Sequence, residues 1–567
     1  MKQISRGQRA LLALAIAAAL AGCGGGGGGD GDRSAAAGPV SLDGNAGTTA
    51  TAGSGAPAAS VASDLEPACS DCGAVSASSY SGTGVGIWQK TNATGAALDV
   101  NVGISGLGSK GVTLVFTNPT AADMALPAIN TSAPSPSVAY EQDLRKDVVE
   151  APAAGFEDEI REFNRQGWLQ RLQEARADAA VKGLQRSAAP QAATVHAVGS
   201  TRNFYHSDRT TRTARLQKQL SAADGTVVNV WVETTEIGDG KVTVAMSDQI
   251  ATSFARAGGI YDMIRSMGGP MWGAHGFPEL IPGSGQPVDI VVLNFDRNKQ
   301  PYGTVGYFWS LHQFTKAADA RSNESVSMYL DAETMYLAGA AGLQTVQMTL
   351  AHEGMHMSNF YRRGISMGQG YQFDTWLEEM TAIMMEDAAA PTIDPAYQPL
   401  RDQRLRDYLR YGSYNCALRN WTPYAGSCES YAVSGSFGGF MLRQLGVGFF
   451  RDLLARKQLG SEAVLAAAIQ AARPGSSLGA QLQAFAASAI GGMPANAPAG
   501  YGFPARNEAG FQIPAVDAGA LSRSLPSGSP STLLAYANFP VTRKAVNGTY
   551  SEKVRVPPGA TLTVVVR

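Results

Sequence analysis

The sequence predicts an α+β fold with small all-β units near both ends. Three observations lead to this prediction. From Val227 onward, strand-like and helix-like segments alternate along the chain. The stretch from Met335 to Phe360 is long and largely apolar, which is typical of a buried helix. Short strand-like runs separated by turn residues occupy residues 74–120 and 532–567.

Length and composition limit the possible functions. The chain has 567 residues, enough for several structural units, and its 65 glycines indicate many loops. Its 45 Lys and Arg residues nearly balance 47 Asp and Glu residues. Because this charge is mixed, no electrostatic argument favours nucleic acid or an anionic membrane as a partner. Nothing in the sequence indicates an oligomer.

The N-terminal residues are typical of an export signal. Three basic side chains precede an apolar run at residues 10–21, which is too short to span a membrane, so we expect a signal peptide at residues 1–22. The run ends in Leu-Ala-Gly-Cys23, which resembles a bacterial lipobox. We therefore expect a lipoprotein that is anchored through lipid on Cys23 to a membrane of the bacterial cell envelope. The outer membrane is favoured, and the protein would face the periplasm or the exterior. The alternative is a plain secretory signal with an incidental cysteine.

A flexible tether is predicted after Cys23. Six glycines follow it, and an Ala/Gly/Ser/Thr-rich stretch continues to about residue 62, so residues 23–73 would hold the folded body off the membrane. The other four cysteines form two close pairs, Cys69 with Cys72 and Cys416 with Cys428. Export favours a structural disulfide for each pair over a redox or zinc role for the first pair.

The remaining chain divides into four predicted units. Residues 74–140 form a small β domain, and residues 141–225 form a helical connector with apolar side chains at helical spacing, which we expect to shield part of the next domain. Residues 226–495 form the main domain, with strands at 227–233 and 288–293, an edge or half-buried strand at 325–330 and a helix at 247–267. Residues 496–567 form a linker and a C-terminal β module.

The segment TLAHEGMHM carries the clearest chemistry. His352 and His356 are four residues apart on a predicted helix that can end at Gly364, so both imidazoles lie on one face. Such a pair supplies two of the nitrogen ligands, about 2 Å from the metal, that Zn²⁺ prefers. Glu353 then lies beside the metal, where a carboxylate can act as general base toward water. With six histidines in the whole chain, a chance occurrence is improbable.

A third ligand is expected downstream, in FDTWLEEMTA. This segment predicts a helix capped by Asp374, and its carboxylates can face the first helix.

HEGMH followed by FDTWLEEMTAIMMED resembles the hyicolysin-like zinc metallopeptidases of the gluzincin group. The resemblance covers about residues 227–446, and supporting similarity lies in DIVVL, GTVGYF and SNESVSMYLD. It implies a zincin-like metallopeptidase domain that binds Zn²⁺ through His352, His356 and Glu379, which lies 23 positions after His356. Glu378 stands where the family has Asn. The resemblance also implies that the strand at residues 328–330 pairs with extended substrate, the alternative being an ordinary strand at the edge of the core.

Parts of the site stay open at this point. Ile383 stands where some gluzincins have an Asp that orients a zinc-bound histidine. Glu386 and Asp387 are the nearest carboxylates in sequence, and for them we favour solvated residues at a helix end over that orienting role. One of four tyrosines is expected to stabilise the oxyanion, although packing is the more common role of such residues: Tyr411, Tyr414, Tyr424 and Tyr431. The remaining histidines are interpreted as structural or surface residues: His196, His206, His275 and His312.

These observations predict a zinc metalloendopeptidase that hydrolyses extracytoplasmic proteins or peptides with Glu353 as general base. Two alternatives remain: a surface lipoprotein that binds a partner while its zincin unit is inactive, and a metal-dependent hydrolase of non-peptide bonds. If the helical connector is inhibitory, cleavage between about Arg186 and Ser200 is expected to raise activity.

Overall fold

The computed structural model describes residues 61–129, 156–181, 195–423, 428–543 and 548–567. These residues belong to one compact unit, Ala58–Arg567. The predicted signal peptide, Cys23, most of the tether, Tyr424 and Arg186 lie outside the described residues. Among the helices that are described, none is both long and apolar enough to cross a membrane.

Mixed α and β structure is present, as expected. The strands are β1 Glu66–Pro67, β2 Ala74–Ser76, β3 Ser79–Tyr80, β4 Gly86–Thr91, β5 Leu98–Ser105, β6 Val112–Thr117, β7 Met124–Ala125, β8 Thr201–Tyr205, β9 Thr211–Ser221, β10 Val227–Glu233, β11 Val288–Leu293, β12 Gly306–Tyr307, β13 Val326–Asp331, β14 Arg506–Glu508, β15 Phe511–Ile513, β16 Thr532–Leu533, β17 Asn538–Arg543, β18 Thr549–Val556 and β19 Thr561–Val566.

The α-helices are α1 Phe156–Glu162, α2 Trp168–Val181, α3 Val244–Ala255, α4 Ile260–Gly268, α5 Ala332–Leu337, α6 Gly339–Asn359, α7 Thr375–Ile393, α8 Leu405–Arg410, α9 Ser430–Ala455, α10 Ser461–Ala472 and α11 Leu478–Ala489. Short π-helical turns join α1 to α2 and extend α6 through Phe360–Met367.

The main sheet has the order β12-β13-β11-β10-β9-β8. Its middle strands β10, β11 and β13 run parallel, and their sequences are almost continuously apolar because both faces are covered. β12 is antiparallel to β13 and forms the end of the sheet. The prediction that residues 325–330 form an edge or half-buried strand is therefore wrong, since β13 is buried along its whole length between β11 and β12.

Helices α4, α6, α7 and α9 pack together beside this sheet. The single helix predicted at residues 247–267 is two helices, because the chain turns at Gly258, whose φ of 68° favours glycine. The helix predicted to end at Gly364 continues as a π-helical turn and stops before Gly368, which has φ 113°. Asp374 stands at the N-cap of α7, but its side chain makes no capping hydrogen bond.

The β units predicted near the two ends form one structure. β19 lies between β4 and β6 in a five-stranded sheet, and β18 pairs with β5 in a second sheet. Trp88, Val102 and Val564 belong to the same hydrophobic core. The expectation of separate N-terminal and C-terminal β units does not hold, because strands from distant parts of the chain alternate within one sheet.

The predicted connector at residues 141–225 also differs from the structure. Within the described residues, the connector is helical only over Phe156–Val181. Its later part forms strands β8 and β9, which extend the main sheet. The polar alternation of β9, in which every second residue is exposed over its first half, obscured this strand in the sequence. Both predicted disulfides, Cys69–Cys72 and Cys416–Cys428, are confirmed.

Candidate metal centre

Two packed helices bring the three predicted ligands together. His352 and His356 lie on α6, and Glu379 lies on α7. Nε2 of His352 is 3.2 Å and Nε2 of His356 is 3.6 Å from the same oxygen, Oε2 of Glu379. One ligand atom from each residue falls within 4.8 Å of the others, so the group could hold a metal ion. Two nitrogens and one carboxylate oxygen are a donor set that suits a transition metal with an open position.

Each histidine is oriented by a second carboxylate. Nδ1 of His352 lies 2.7 Å from Oε1 of Glu386, and Nδ1 of His356 lies 2.9 Å from Oε1 of Glu378. These contacts leave the Nε2 atoms to face Glu379, which is the arrangement that metal-binding histidines need. Glu386 is therefore not a solvated residue at a helix end, and the prediction for it is wrong.

Asp387 also differs from its prediction. It is buried and forms an ion pair with the buried guanidinium of Arg443 on α9, so it ties α7 to α9. Both carboxylates were misjudged because α7 continues to Ile393 and is enclosed by neighbouring helices, which its sequence alone does not reveal.

Buried charges hold the candidate ligands in defined states. Burial acts to raise the pKa of Glu379, but the two histidines and Arg161 outweigh it and hold that pKa well below its usual value. Burial likewise opposes the charge on His352, yet hydrogen bonds with Glu379 and Glu386 raise its pKa to about 9. The pocket is thus ready to exchange protons on histidine for a cation.

Glu353 points into the same pocket without joining the ligand group. It is 7% exposed, and burial raises the pKa of its carboxyl group above the usual value. The backbone of Phe308, just after β12, acts in the opposite direction and lowers that pKa in part. A carboxylate with a raised pKa, placed next to the ligands and against the sheet edge, has the properties of a general base.

A cleft of about 520 Å³ surrounds these residues. The cleft is lined by residues 302–308, which include the edge strand β12, by α1, α6 and α7, and by residues around α8 and at the start of α9. The strand at the cleft is therefore β12. The expectation that residues 328–330 pair with extended substrate is wrong, because β12 already pairs with that stretch of β13.

Comparison with known protein families gives two matches. A family model described as peptidase M30 matches residues 208–567, which include the ligand helices and the C-terminal strands. The chain belongs to the peptidase M30 family. The resemblance to hyicolysin-like peptidases is therefore confirmed at the level of the family, and the chain is a peptidase by membership.

The second match, to a domain of unknown function (DUF8571), covers residues 67–131. This match and the M30 match meet in one sheet, since β4 and β6 belong to the former and β17 and β19 to the latter. No curated protein matches the chain.

Among the candidate tyrosines of this M30 peptidase, Tyr431 lies at the candidate metal centre. Its ring centroid is 6.4 Å from that of His352, and its hydroxyl oxygen is 3.3 Å from an Arg161 nitrogen. Tyr411 also lines the cleft, whereas Tyr414 is buried against Tyr408. The four other histidines lie outside the only ligand group found in the described residues.

Two arginines at the site had no signal in the sequence. Arg404 pairs with Glu386 at 3.2 Å, and Arg161 of α1 donates from Nε to Oε1 of Glu379 at 2.9 Å. Both partners are more than 15 positions away in sequence, so periodicity and spacing do not indicate either contact. Only the tertiary packing of α1 and of the π-helical turn that precedes α8 places these cations.

Proposed function

We propose that this M30 peptidase is a zinc-dependent metalloendopeptidase with a zincin-like catalytic domain of the gluzincin type. The observation that carries the proposal is the convergence of His352, His356 and Glu379, with each histidine held at its other nitrogen by a carboxylate. This donor set suits Zn²⁺. The three ligand residues include no cysteine thiolate, which a softer metal would prefer, and they are not all oxygen donors, which Mg²⁺ or Ca²⁺ would prefer.

The proposed mechanism assigns a distinct task to each group. When bound, zinc supplies Lewis acidity, which lowers the pKa of a water molecule toward neutrality. Glu353 accepts a proton from that water as it attacks the scissile carbonyl carbon. The same carboxyl group then donates the proton to the amine nitrogen as the C–N bond breaks. Its raised pKa favours the first of these transfers, because it makes the carboxylate a stronger base.

Tyr431 is the proposed donor to the oxyanion. Its ring lies next to that of His352, and the phenol is the kind of group that donates to a developing negative charge. Glu378, Glu386 and Arg404 position the histidines and do not touch the reacting atoms in this proposal.

The proposed setting is the cell envelope. A lipid on Cys23 would anchor the protein. The tether predicted at residues 23–73 must end before β1 and the Cys69–Cys72 disulfide, which belong to the folded body. Substrates would be proteins or peptides outside the cytoplasm. The N-terminal sequence and the two disulfides support this assignment.

The reaction type is tested by product mapping. The soluble protein lacking residues 1–23 is incubated with casein, and the products are identified by mass spectrometry. We expect internal peptide fragments with new amino termini, and loss of these fragments in the Glu353→Gln variant. Bound zinc without any cleavage of casein would contradict the proposal and favour a hydrolase of non-peptide bonds. Absence of bound zinc would favour an inactive zincin unit in a binding lipoprotein.

A further inference from the structure

A short helical segment lies over the candidate metal centre. Residues 156–164, here called the arm, contain α1 and the start of the π-helical turn. They line the cleft together with the ligands and precede residue 208, where the match to the M30 family begins. The arm is therefore not part of the region that defines the family, although it touches the centre of the site.

The first contact of the arm is with a metal ligand. Arg161 donates to Oε1 of Glu379, while Oε2 of the same carboxylate faces both histidines. Arg161 also forms ion pairs with Glu157 and Asp158 at 2.7 Å, so its guanidinium is fixed within the arm. A partly buried cation that holds one oxygen of this carboxylate withdraws negative charge from the position where the metal would bind.

The second contact is with the sheet edge. Nδ2 of Asn164 donates to the backbone carbonyl of Phe308 at 2.7 Å, and the backbone N–H of Ser310 donates to Oδ1 of Asn164 at 2.8 Å. In an extended chain, the carbonyl of one residue and the N–H two positions later point to the same side. An added strand would use this same pair of groups. Asn164 thus takes the place of a peptide backbone next to β12.

Apolar contacts complete the cover. Phe156 and Phe163 contact the rings of Tyr307 and Trp309, respectively, and Ile160 is buried in the same cluster. They belong to the cluster on the face of the main sheet opposite α6, so the arm wraps around the edge at β12, to which an extended substrate would add. The arm and a bound protein chain therefore exclude one another.

The segment after the arm has a different character. Trp168 and Leu172 of α2 are fully buried and belong to the main core, and Trp168 packs on Phe360 just beyond the ligand helix. In contrast, Ile160 is the only buried residue of α1. Cleavage between about Arg186 and Ser200 alone would leave α2 packed in the core, so displacement must involve the chain before Trp168.

We propose that residues 156–164 are an intramolecular inhibitor that occupies the substrate position at β12 and holds Glu379 through Arg161. The inference rests on the proposed peptidase function. α2 keeps the arm attached when it is displaced, so the inhibition is reversible and requires no cut between about Arg186 and Ser200. The ligand that competes with the arm is an extended polypeptide.

The test combines hydrolysis with binding. Arg161→Ala, Asn164→Ala and the double variant are prepared in the active protein and in a Glu353→Gln background. Casein hydrolysis is measured in the first set, and binding of fluorescein-labelled oxidised insulin B chain is measured by fluorescence anisotropy in the second. The matched control is Arg209→Ala, which removes the same charge from an exposed ion pair with Glu159, and neither of these residues lines the cleft.

We expect the double variant to show a rise of roughly tenfold in kcat/KM and a similar fall in Kd, because it loses a charged hydrogen bond and a pair of backbone contacts. The control is expected to match the parent in both assays. Unchanged or lower peptide affinity in the double variant, with an unchanged melting temperature, would overturn the inference. If the double variant binds the peptide more tightly, but neither the parent nor any arm variant hydrolyses casein, the arm acts as proposed and the proposed peptidase function fails.

Discussion

Carboxylates that do not themselves bind the metal determine the geometry of the candidate centre at the residue scale. Glu386 contacts Nδ1 of His352, and Glu378 contacts Nδ1 of His356. Arg404 in turn forms an ion pair with Glu386. These contacts fix the orientations of both imidazole rings before a metal binds. The ligand side chains therefore need little further ordering when a metal binds.

Replacing Glu386 by Gln is expected to weaken zinc affinity by roughly 10- to 100-fold, the range found when such supporting partners are lost. The affinity is measured by competition with a chromophoric chelator. Glu353→Gln serves as the matched control, because it removes a carboxylate from the same cleft without touching an Nδ1 atom. Wild-type affinity in Glu386→Gln would show that the contact has no positioning role.

His312 allows a prediction for the pH dependence of stability. It is fully buried between Trp309 and Tyr329, and burial lowers its pKa from 6.5 to about 3. Below pH 6.5 the unfolded chain binds a proton that the native protein does not, so His312 lowers the free energy of unfolding as pH falls toward 3.

We therefore expect His312→Phe to reduce the pH dependence of the unfolding free energy by about one proton, or about 1.4 kcal/mol per pH unit in this range. Chemical denaturation at several pH values between about 4 and 7 measures this slope. A variant with the wild-type slope would contradict the assignment of a neutral buried imidazole.

At the element scale, the ligand helix α6 was predictable and its surroundings were not. The i, i+4 histidines and the apolar stretch indicated the helix, and β4, β5, β6, β10 and β11 followed from strand-like runs. The two-residue strand β12 gives almost no sequence signal, although it forms the cleft wall. For the same reason β13 was placed at the edge, where β12 in fact lies.

The start of α6 depends on a close approach to α5. A Cβ atom at Gly342 would collide with the backbone carbonyl oxygen of Thr334, which cannot move as a side chain could. Gly342→Ala is expected to destabilise the protein by about 1–3 kcal/mol and to weaken zinc binding, because α6 must shift.

Thermal unfolding and chelator competition measure both effects. Gly448→Ala is the matched control, since Gly448 is exposed in α9 and a Cβ there meets nothing within 4 Å. This control is expected to be neutral or slightly stabilising. Equal stability of the two variants would contradict the close contact between α5 and α6.

At the scale of the whole molecule, the two sheets that share one core, here called the β sandwich, combine strands from both end regions of the chain. Local pattern identified the strands near both ends, but pairing between residues more than 400 positions apart leaves no local trace. The sequence therefore predicted two β units where there is one. The helical segment over the cleft was expected as a shield, while its contact with Glu379 depends on tertiary packing.

A charge in the central strand distinguishes one sandwich from two separate units. Val564→Asp places a carboxylate at a fully buried position of β19, which is expected to disrupt the sheet and expose residues 61–129 to proteolysis. Arg555→Asp, on the exposed side of β18, is the control and should leave the sandwich intact. Continued protection of residues 61–129 in Val564→Asp would favour separate units.

The most direct test of the proposed metal chemistry is zinc content measured together with casein hydrolysis for wild type, Glu353→Gln and Glu379→Gln. We predict about one zinc per chain in wild type and in Glu353→Gln, hydrolysis in wild type alone, and much weaker zinc binding in Glu379→Gln. Full hydrolysis by Glu353→Gln, or undiminished zinc affinity in Glu379→Gln, would contradict the roles assigned to these two residues.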